Sequence, residues 1–199
     1  FDLDTRPYLT FATPIIAIPT GIKILNRLAT IRSTCFSLIT PLYFIIGFPF
    51  SSIFGGFTGL ISANNIIDII LHDPYFVIGH LHHVLPLGAI HTISAAFYTY
   101  WIFLPTISFS DYLGRIHSGS SFISSNSISF TMHSLGIIGF PRRIYDYTLL
   151  YFKFQWFNSF GFIGIYLSII TLLMVVLVSM DPIPRLFGSN LSINNRILR

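Results

Sequence analysis

The sequence contains no glutamate and a single cysteine, Cys35, among its 199 residues. One cysteine excludes an internal disulfide and any metal centre built on paired thiolates, which leaves Cys35 to be read as a small buried apolar residue. Charge is scarce as well: eleven Lys and Arg and seven Asp, 9% of the chain, stand between long charge-free intervals. The net charge of +4 comes from scattered basic residues and one arginine pair, Arg142-Arg143. Without the dense basic patch that phosphate binding requires, nucleic acid is set aside as a partner. The chain opens on Phe1 with no basic, apolar leader, so no signal peptide is visible, and the missing Met points to processing, unusual initiation or a fragment.

What is abundant is apolar surface. Hydrophobic residues make up 53% of the chain and aromatic residues 17%, with 21 Phe, a composition that belongs to membrane proteins and suits an AT-rich genome such as a mitochondrial one. A helix needs about 20 apolar residues to cross the hydrocarbon, with its backbone polar groups satisfied internally. Runs of that kind, bounded by charge or turn residues, predict an all-α integral membrane bundle of five transmembrane helices, at about 6–30, 38–63, 74–104, 111–138 and 152–181. The whole of 1–199 is expected to form a single transmembrane domain. Pro74 suits the first turn of the third helix. The fourth carries Ser118, Ser120, Ser121, Ser124, Ser125, Ser127 and Ser129, so it reads either as a helix covered by protein or as a soluble loop.

Alternation of five helices would gather Lys23, Arg27, Arg32, Arg115, Arg185, Arg196 and Arg199 on one side and Arg6, Arg142, Arg143 and Lys153 on the other. Seven against four marks the first side as matrix or cytoplasm, and puts the C-terminus there.

The chemistry is concentrated in Asp68-Ile-Ile-Leu-His72-Asp73-Pro74-Tyr75-Phe76-Val77-Ile78-Gly79-His80-Leu81-His82-His83. Ionisable groups are costly in a membrane, so such a cluster marks a functional site. On a regular helix His80 and His82 project about 200° apart, so they would serve two centres rather than chelate one ion, and two haem irons flanking one helix fit that geometry. They would lie roughly 9 and 12 Å along the helix from Pro74, near one face of the bilayer. His72 and Asp73, at that same face, suit a hard or borderline divalent ion that keeps some waters. Parity brings Arg142 and Arg143 to the same side, where paired guanidiniums can hold haem carboxylates. Other readings stay open at this point: hydrogen-bonded core histidines, a proton or substrate pathway in a transporter, and arginines anchored at lipid headgroups.

Four segments, in order and at matching intervals, resemble cytochrome c oxidase subunit I of the haem–copper oxidase family: Asp2-Leu-Asp4-Thr-Arg6, Ala17-Ile-Pro-Thr20-Gly-Ile-Lys23, the His72 to His82 run, and Gly139-Phe-Pro-Arg142-Arg143. The resemblance covers essentially the whole chain and corresponds to the last five of that family's twelve helices. It implies that His80 is the axial ligand of the high-spin haem a and His82 an axial ligand of the low-spin haem a. It further implies that His72 and Asp73 bind magnesium, that Arg142 and Arg143 contact the haem propionates, and that Tyr75 and Asp68 belong to the surrounding network. Lys23 and Thr20 would belong to a proton-uptake route, although Lys23 also reads as a lysine snorkelling from a helix end. Leu81, His83, Pro74 and Thr131-Met132 depart from the family pattern without removing a proposed ligand. His91, eleven residues after His80 and on the same helix face, reads as a satisfied core histidine, with an extra member of a proton relay as the alternative.

The resemblance also implies what this chain lacks. The copper of the binuclear centre and the second low-spin haem ligand need residues from earlier helices, and the remaining histidines, His72, His83, His91, His117 and His133, do not make a copper site. A split subunit is therefore expected, with an N-terminal fragment of subunit I as partner, alongside other oxidase subunits including the two-copper subunit, cytochrome c, oxygen and membrane lipid. The implied activity is oxygen reduction to water coupled to proton translocation in the mitochondrial inner membrane. The alternatives are part of a haem–copper quinol oxidase, or a transporter or structural membrane subunit without catalysis.

Overall fold

The computed structural model describes residues 2, 4–33, 37–103 and 109–180. Cys35, Leu104 and the arginines Arg185, Arg196 and Arg199 lie outside them, and so does the expected placement of the C-terminus.

Proline and asparagine decide where several helices begin. Helix α1 spans Thr5–Ser33, and α2, Thr40–Ala63, carries Pro41 in its first turn, where a missing N–H costs nothing. Asn64 then caps α3, Asn65–Leu71, its side chain accepting from Ile66 N at 3.2 Å. This seven-residue helix was not expected from the sequence. Pro74 immediately precedes α4, Tyr75–His82. A π-helical turn, His83–Leu87, follows and contains Pro86 before α5 resumes at Gly88–Ile102. Pro86 has no N–H to give, and its ring would meet the carbonyl one turn back, so the backbone widens there. The third span expected over 74–104 thus holds its place but is interrupted just after His82. The last long helices are α6, Asp111–Ile137, and α7, Phe152–Met180.

Among the described residues four segments are long and apolar enough to cross a membrane: Thr5–Ser33, Thr40–Ala63, Tyr75–Trp101 and Leu149–Met180. Helix α6 falls short on composition, yet it is no loop: its serine-rich side is buried, including Ser118, Ser121, Ser124 and Ser129. Small residues let α7 approach it closely. A Cβ added at Gly161 would run into Ile128, and one at Gly164 into Ser124. On the other flank a Cβ at Gly136 would strike the Phe76 backbone of α4.

The helices alternate in direction. Asn65 N donates to Thr10 Oγ1 at 3.2 Å, which ties α3 to the start of α1, while Arg27 lies over the Phe48 ring in the first half of α2. The Asp111 carboxylate accepts from Thr40 N at 2.9 Å, Thr40 Oγ1 at 2.7 Å and Arg115 Nη2 at 2.6 Å, clamping the starts of α2 and α6 together. At the far end Tyr75 N donates to the Phe140 carbonyl at 2.9 Å. Lys23, Arg27, Arg32 and Arg115 therefore share one end of the bundle, and Arg6, His72, Arg142, Arg143 and Lys153 the other.

Between these ends the core is aromatic. Phe44 and Tyr98 are fully buried and stack at 5.6 Å, and Tyr98 Oη is 2.9 Å from His117 Nδ1. The outer faces of α1 and α7 display apolar chains such as Phe11, Ile16, Phe157 and Leu177, and α1 buries no residue at all within this chain. Such surface requires lipid or neighbouring helices.

Candidate functional site

The site begins where two loops are stitched together. Helix α6 ends in a turn through Gly139, whose φ of +88° favours glycine, and Phe140 N donates back to Leu135 O at 3.0 Å. Phe140 is thereby buried edge-on against Tyr75 at 4.6 Å and Tyr151 at 4.7 Å. Pro74 and Pro141 pair as an isolated antiparallel bridge, and Arg142 N donates to the Asp73 carbonyl at 3.1 Å. The Arg142 side chain adds an ion pair, with Nη2 at 2.5 Å from Asp73 Oδ1. Asp73 and Arg143 both hold positive φ, 72° and 65°. For residues with a Cβ, each such conformation costs about 1–3 kcal/mol, which the surrounding contacts must hold in place.

Beside this junction His72 Nδ1 lies 3.6 Å from Asp68 Oδ2, and His72 Nε2 lies 3.9 Å from Asp73 Oδ2. His72 and Asp73 are largely open to the surface, and Asp68 is partly covered. The structure thus brings together His72, Asp73, Asp68, Tyr75 and Arg142, with Arg143 exposed next to them. Among the described residues no three His, Cys or Asp side chains form a group that could hold a metal ion unaided. His72 and Asp73 fit a hard divalent cation that draws its remaining ligands from water or a neighbouring chain.

Helix α4 carries the two central histidines. It is α-helical through His82, so His80 and His82 keep their opposed directions. Both rings are half-buried, whereas the adjacent His83 is 1% exposed. His80 Nδ1 is 3.0 Å from Thr58 Oγ1 of α2, and a Cβ at Gly59 would come within 2.9 Å of His80 Cε1. The ring therefore lies across bare α2 backbone. Among the described residues nothing hydrogen-bonds the His82 ring. Two open imidazoles on opposite sides of one helix fit a separate axial ligation on each side.

The other histidines are less isolated than their sequence positions suggest. His83 lies 5.4 Å from His133 and packs on Phe130 at 5.2 Å, with both of its ring nitrogens unpartnered. His133 Nδ1–H donates to Ser129 O at 2.7 Å and its Nε2 is unpartnered. His91, 2% exposed, donates from Nδ1 to Leu87 O at 2.6 Å and presses on Gly47 of α2, its Nε2 left without a partner. It is a core histidine, as read from the sequence, but only half satisfied. His117 and His133 stand out once α6 is treated as a buried stripe, because His117, Ser121, Ser124, Ile128, Met132 and Leu135 recur three or four apart, as do Asn126, Ser129, His133 and Gly136 beside them.

Thr20 and Lys23 are not brought to this site. They share one face of α1, and both are exposed. Helix α1 packs on α2 and α3, leaving an open, mainly apolar groove of about 930 Å³ lined by Arg6, Thr10, Phe11, Leu60, Asn64 and Ile69 among others. None of the histidines lines it.

Residues 2–178 match the family model described as Cytochrome C and Quinol oxidase polypeptide I. The chain is 39% identical over 160 residues to cytochrome c oxidase subunit 1 of Pecten maximus, covering 80% of this chain and 34% of that protein. It is 38% identical over 179 residues to the Candida albicans protein of the same name, 90% of this chain and 34% of that one. Against the Eremothecium gossypii cytochrome c oxidase subunit 1 the identity is 42% over 163 residues, 80% and 30% of the two chains. The chain spans about a third of the length of these relatives.

Proposed function

The chain belongs to the Cytochrome C and Quinol oxidase polypeptide I family, and from that premise we propose that it is the C-terminal, haem-holding part of the catalytic subunit of a cytochrome c oxidase. The observation that carries this reading is the pair of half-buried imidazoles, His80 and His82, aimed to opposite sides of α4 beside a histidine that is fully enclosed. His80 would hold the high-spin haem and His82 the low-spin haem through their Nε2 lone pairs. Haem in these two positions supplies the electron transfer and oxygen reduction that the protein's own side chains cannot perform.

The residues around α4 have positioning work. Arg142 and Arg143 would pair with haem carboxylates, and the Asp73 contact that already orients Arg142 supports this assignment. His72 and Asp73 would hold magnesium, with Asp68 steadying the His72 ring and Tyr75 fixing the loop through Phe140. Lys23 and Thr20 would belong to a proton-uptake route from the matrix side, on a face of α1 that this chain leaves exposed. That orientation follows the seven-against-four excess of Lys and Arg read from the sequence, and a mitochondrial inner-membrane location follows the cytochrome c oxidase reading.

Copper of the binuclear centre would be held from outside these 199 residues, since no described trio of ligands serves it. The chain would act as a single transmembrane domain alongside an N-terminal part of subunit I, the two-copper subunit, further oxidase subunits and lipid. Cytochrome c would deliver the electrons, and oxygen would be reduced to water. Each elementary charge moved across the membrane would store about 2.3 kcal/mol per 100 mV. The test is a reduced-minus-oxidised visible spectrum of the purified complex with its subunits identified. Two haem signals and a separate chain carrying the earlier helices are expected. Absence of haem bands would leave only the transporter or structural readings, and absence of a two-copper partner would move the assignment to a quinol oxidase.

A further inference from the structure

Helix α2 runs past His80 with a hydroxyl and a bare backbone side by side. Thr58 Oγ1 donates along its own helix, to Gly55 O at 3.0 Å and Phe54 O at 3.2 Å, and lies 3.0 Å from His80 Nδ1. A hydroxyl has one hydrogen and two lone pairs. A hydrogen given to either carbonyl of the preceding turn leaves a lone pair toward His80. The matching imidazole tautomer carries its proton on Nδ1 and keeps Nε2 as the free base. We propose that Thr58 is a positioning residue for His80, accepting its Nδ1–H and so holding the tautomer and ring angle in which Nε2 is available to iron.

Three details of the packing fit this role. The residue after Thr58 is Gly59, and a Cβ there would press on His80 Cε1 at 2.9 Å, so the ring is confined between the hydroxyl and unsubstituted backbone. The Gly55 carbonyl, which takes the Thr58 hydrogen at 3.0 Å, lies one turn before Thr58 on the same stretch of α2 that meets His80. Gly55 is itself buried against Val84, where a Cβ would come within 2.7 Å of Val84 Cγ2, so this turn of α2 packs closely on the chain just after His82. A ligand histidine whose second nitrogen donates a hydrogen bond becomes more basic at the metal-binding nitrogen and is fixed in rotation. His82 has no counterpart to Thr58 among the described residues. The proposal therefore distinguishes the two imidazoles: one is tuned from within this chain, and the other is left to whatever packs outside it.

The proposal rests on His80 being an iron ligand, and the experiment separates the two claims. The oxidase complex containing this chain is purified as wild type, Thr58→Val and Thr58→Ser, and each is read by visible spectrum for haem content and by resonance Raman for the iron–histidine stretch of the reduced high-spin haem. Thr58→Val is expected to keep both haems and shift the stretch to lower frequency, with a higher potential for that haem, because one acceptor of the Nδ1–H is gone. Thr58→Ser restores the wild-type band. An unmoved band in Thr58→Val, or a serine variant displaced as far as the valine one, overturns the proposal while leaving the haem reading intact. Should the valine variant fail to assemble, the serine variant decides: it keeps the hydroxyl and loses only a methyl, so a shifted band there is contrary to the proposal. A wild-type complex without haem overturns the parent reading and this one together.

Discussion

Asp73 and Arg142 lock two loops together twice over, once through the backbone, Arg142 N to Asp73 O at 3.1 Å, and once through their side chains at 2.5 Å. The two residues are 69 positions apart in the chain, and their contact sets the loop after α3 against the loop after α6. The same aspartate lies 3.9 Å from His72, so one carboxylate connects the arginine pair to the candidate cation position.

Asp73→Asn keeps the backbone link but removes the charge. The ion pair sits at the surface and is worth under about 1 kcal/mol, so assembly should persist. Binding of a divalent cation should weaken by roughly 10-fold or more, since a carboxylate ligand and the orientation of His72 are both lost. Manganese substituted for magnesium in the purified complex and read by electron paramagnetic resonance checks this. Unchanged manganese affinity would remove Asp73 from the cation site.

The close crossing of α4 and α6 gives a second expectation. Gly136 faces the Phe76 backbone so tightly that a methyl group has nowhere to go, and only main-chain movement can relieve it. Gly136→Ala should destabilise the bundle by about 1–3 kcal/mol, the range for overpacking, with the strain directed at the helix that carries His80 and His82. Thermal unfolding of the purified complex in detergent measures it. A wild-type midpoint would mean that the two helices sit farther apart.

His83 is an enclosed imidazole with two unpaired nitrogens, among Phe54, Phe130 and His133. Leaving a buried polar group unsatisfied costs about 1–3 kcal/mol. His83→Phe should therefore leave stability unchanged or raise it by about 1 kcal/mol, with both haem signals retained. The same detergent unfolding measurement checks the sign, and a loss of stability would show that His83 has a partner in the assembled complex.

The limits of the membrane helices were legible because their punctuation is local. Pro41, Pro74 and Asp111 stand at or next to the starts of α2, α4 and α6, and those helices begin within two residues of their expected positions. The cluster at the head of α4 was legible for the same reason, since six of its chemical residues occupy one short run. Three features were not. The π turn after His82 depends on Pro86 finding no regular way to continue the helix, and hydropathy carries no sign of that. Helix α3 is one capped turn plus a few residues, too short to show a period. The third is the tertiary pairing of Asp73 with Arg142 and of His83 with His133, which depends on how α4 crosses α6; only the small residues Gly79 and Gly136 hint at that crossing. For Lys23 and Thr20 the sequence pattern went further than the structure, because the face of α1 that carries them is exposed and packs against nothing among the described residues.

The account turns on His80 and His82 serving different irons. The measurement that tests it most directly is the low-temperature reduced-minus-oxidised spectrum of the complex carrying His82→Asn, recorded beside wild type and His80→Asn. Loss of the low-spin band alone in the first variant, and of the high-spin signal alone in the second, is the predicted result. Both signals surviving in either variant, or both variants losing the same band, would contradict it.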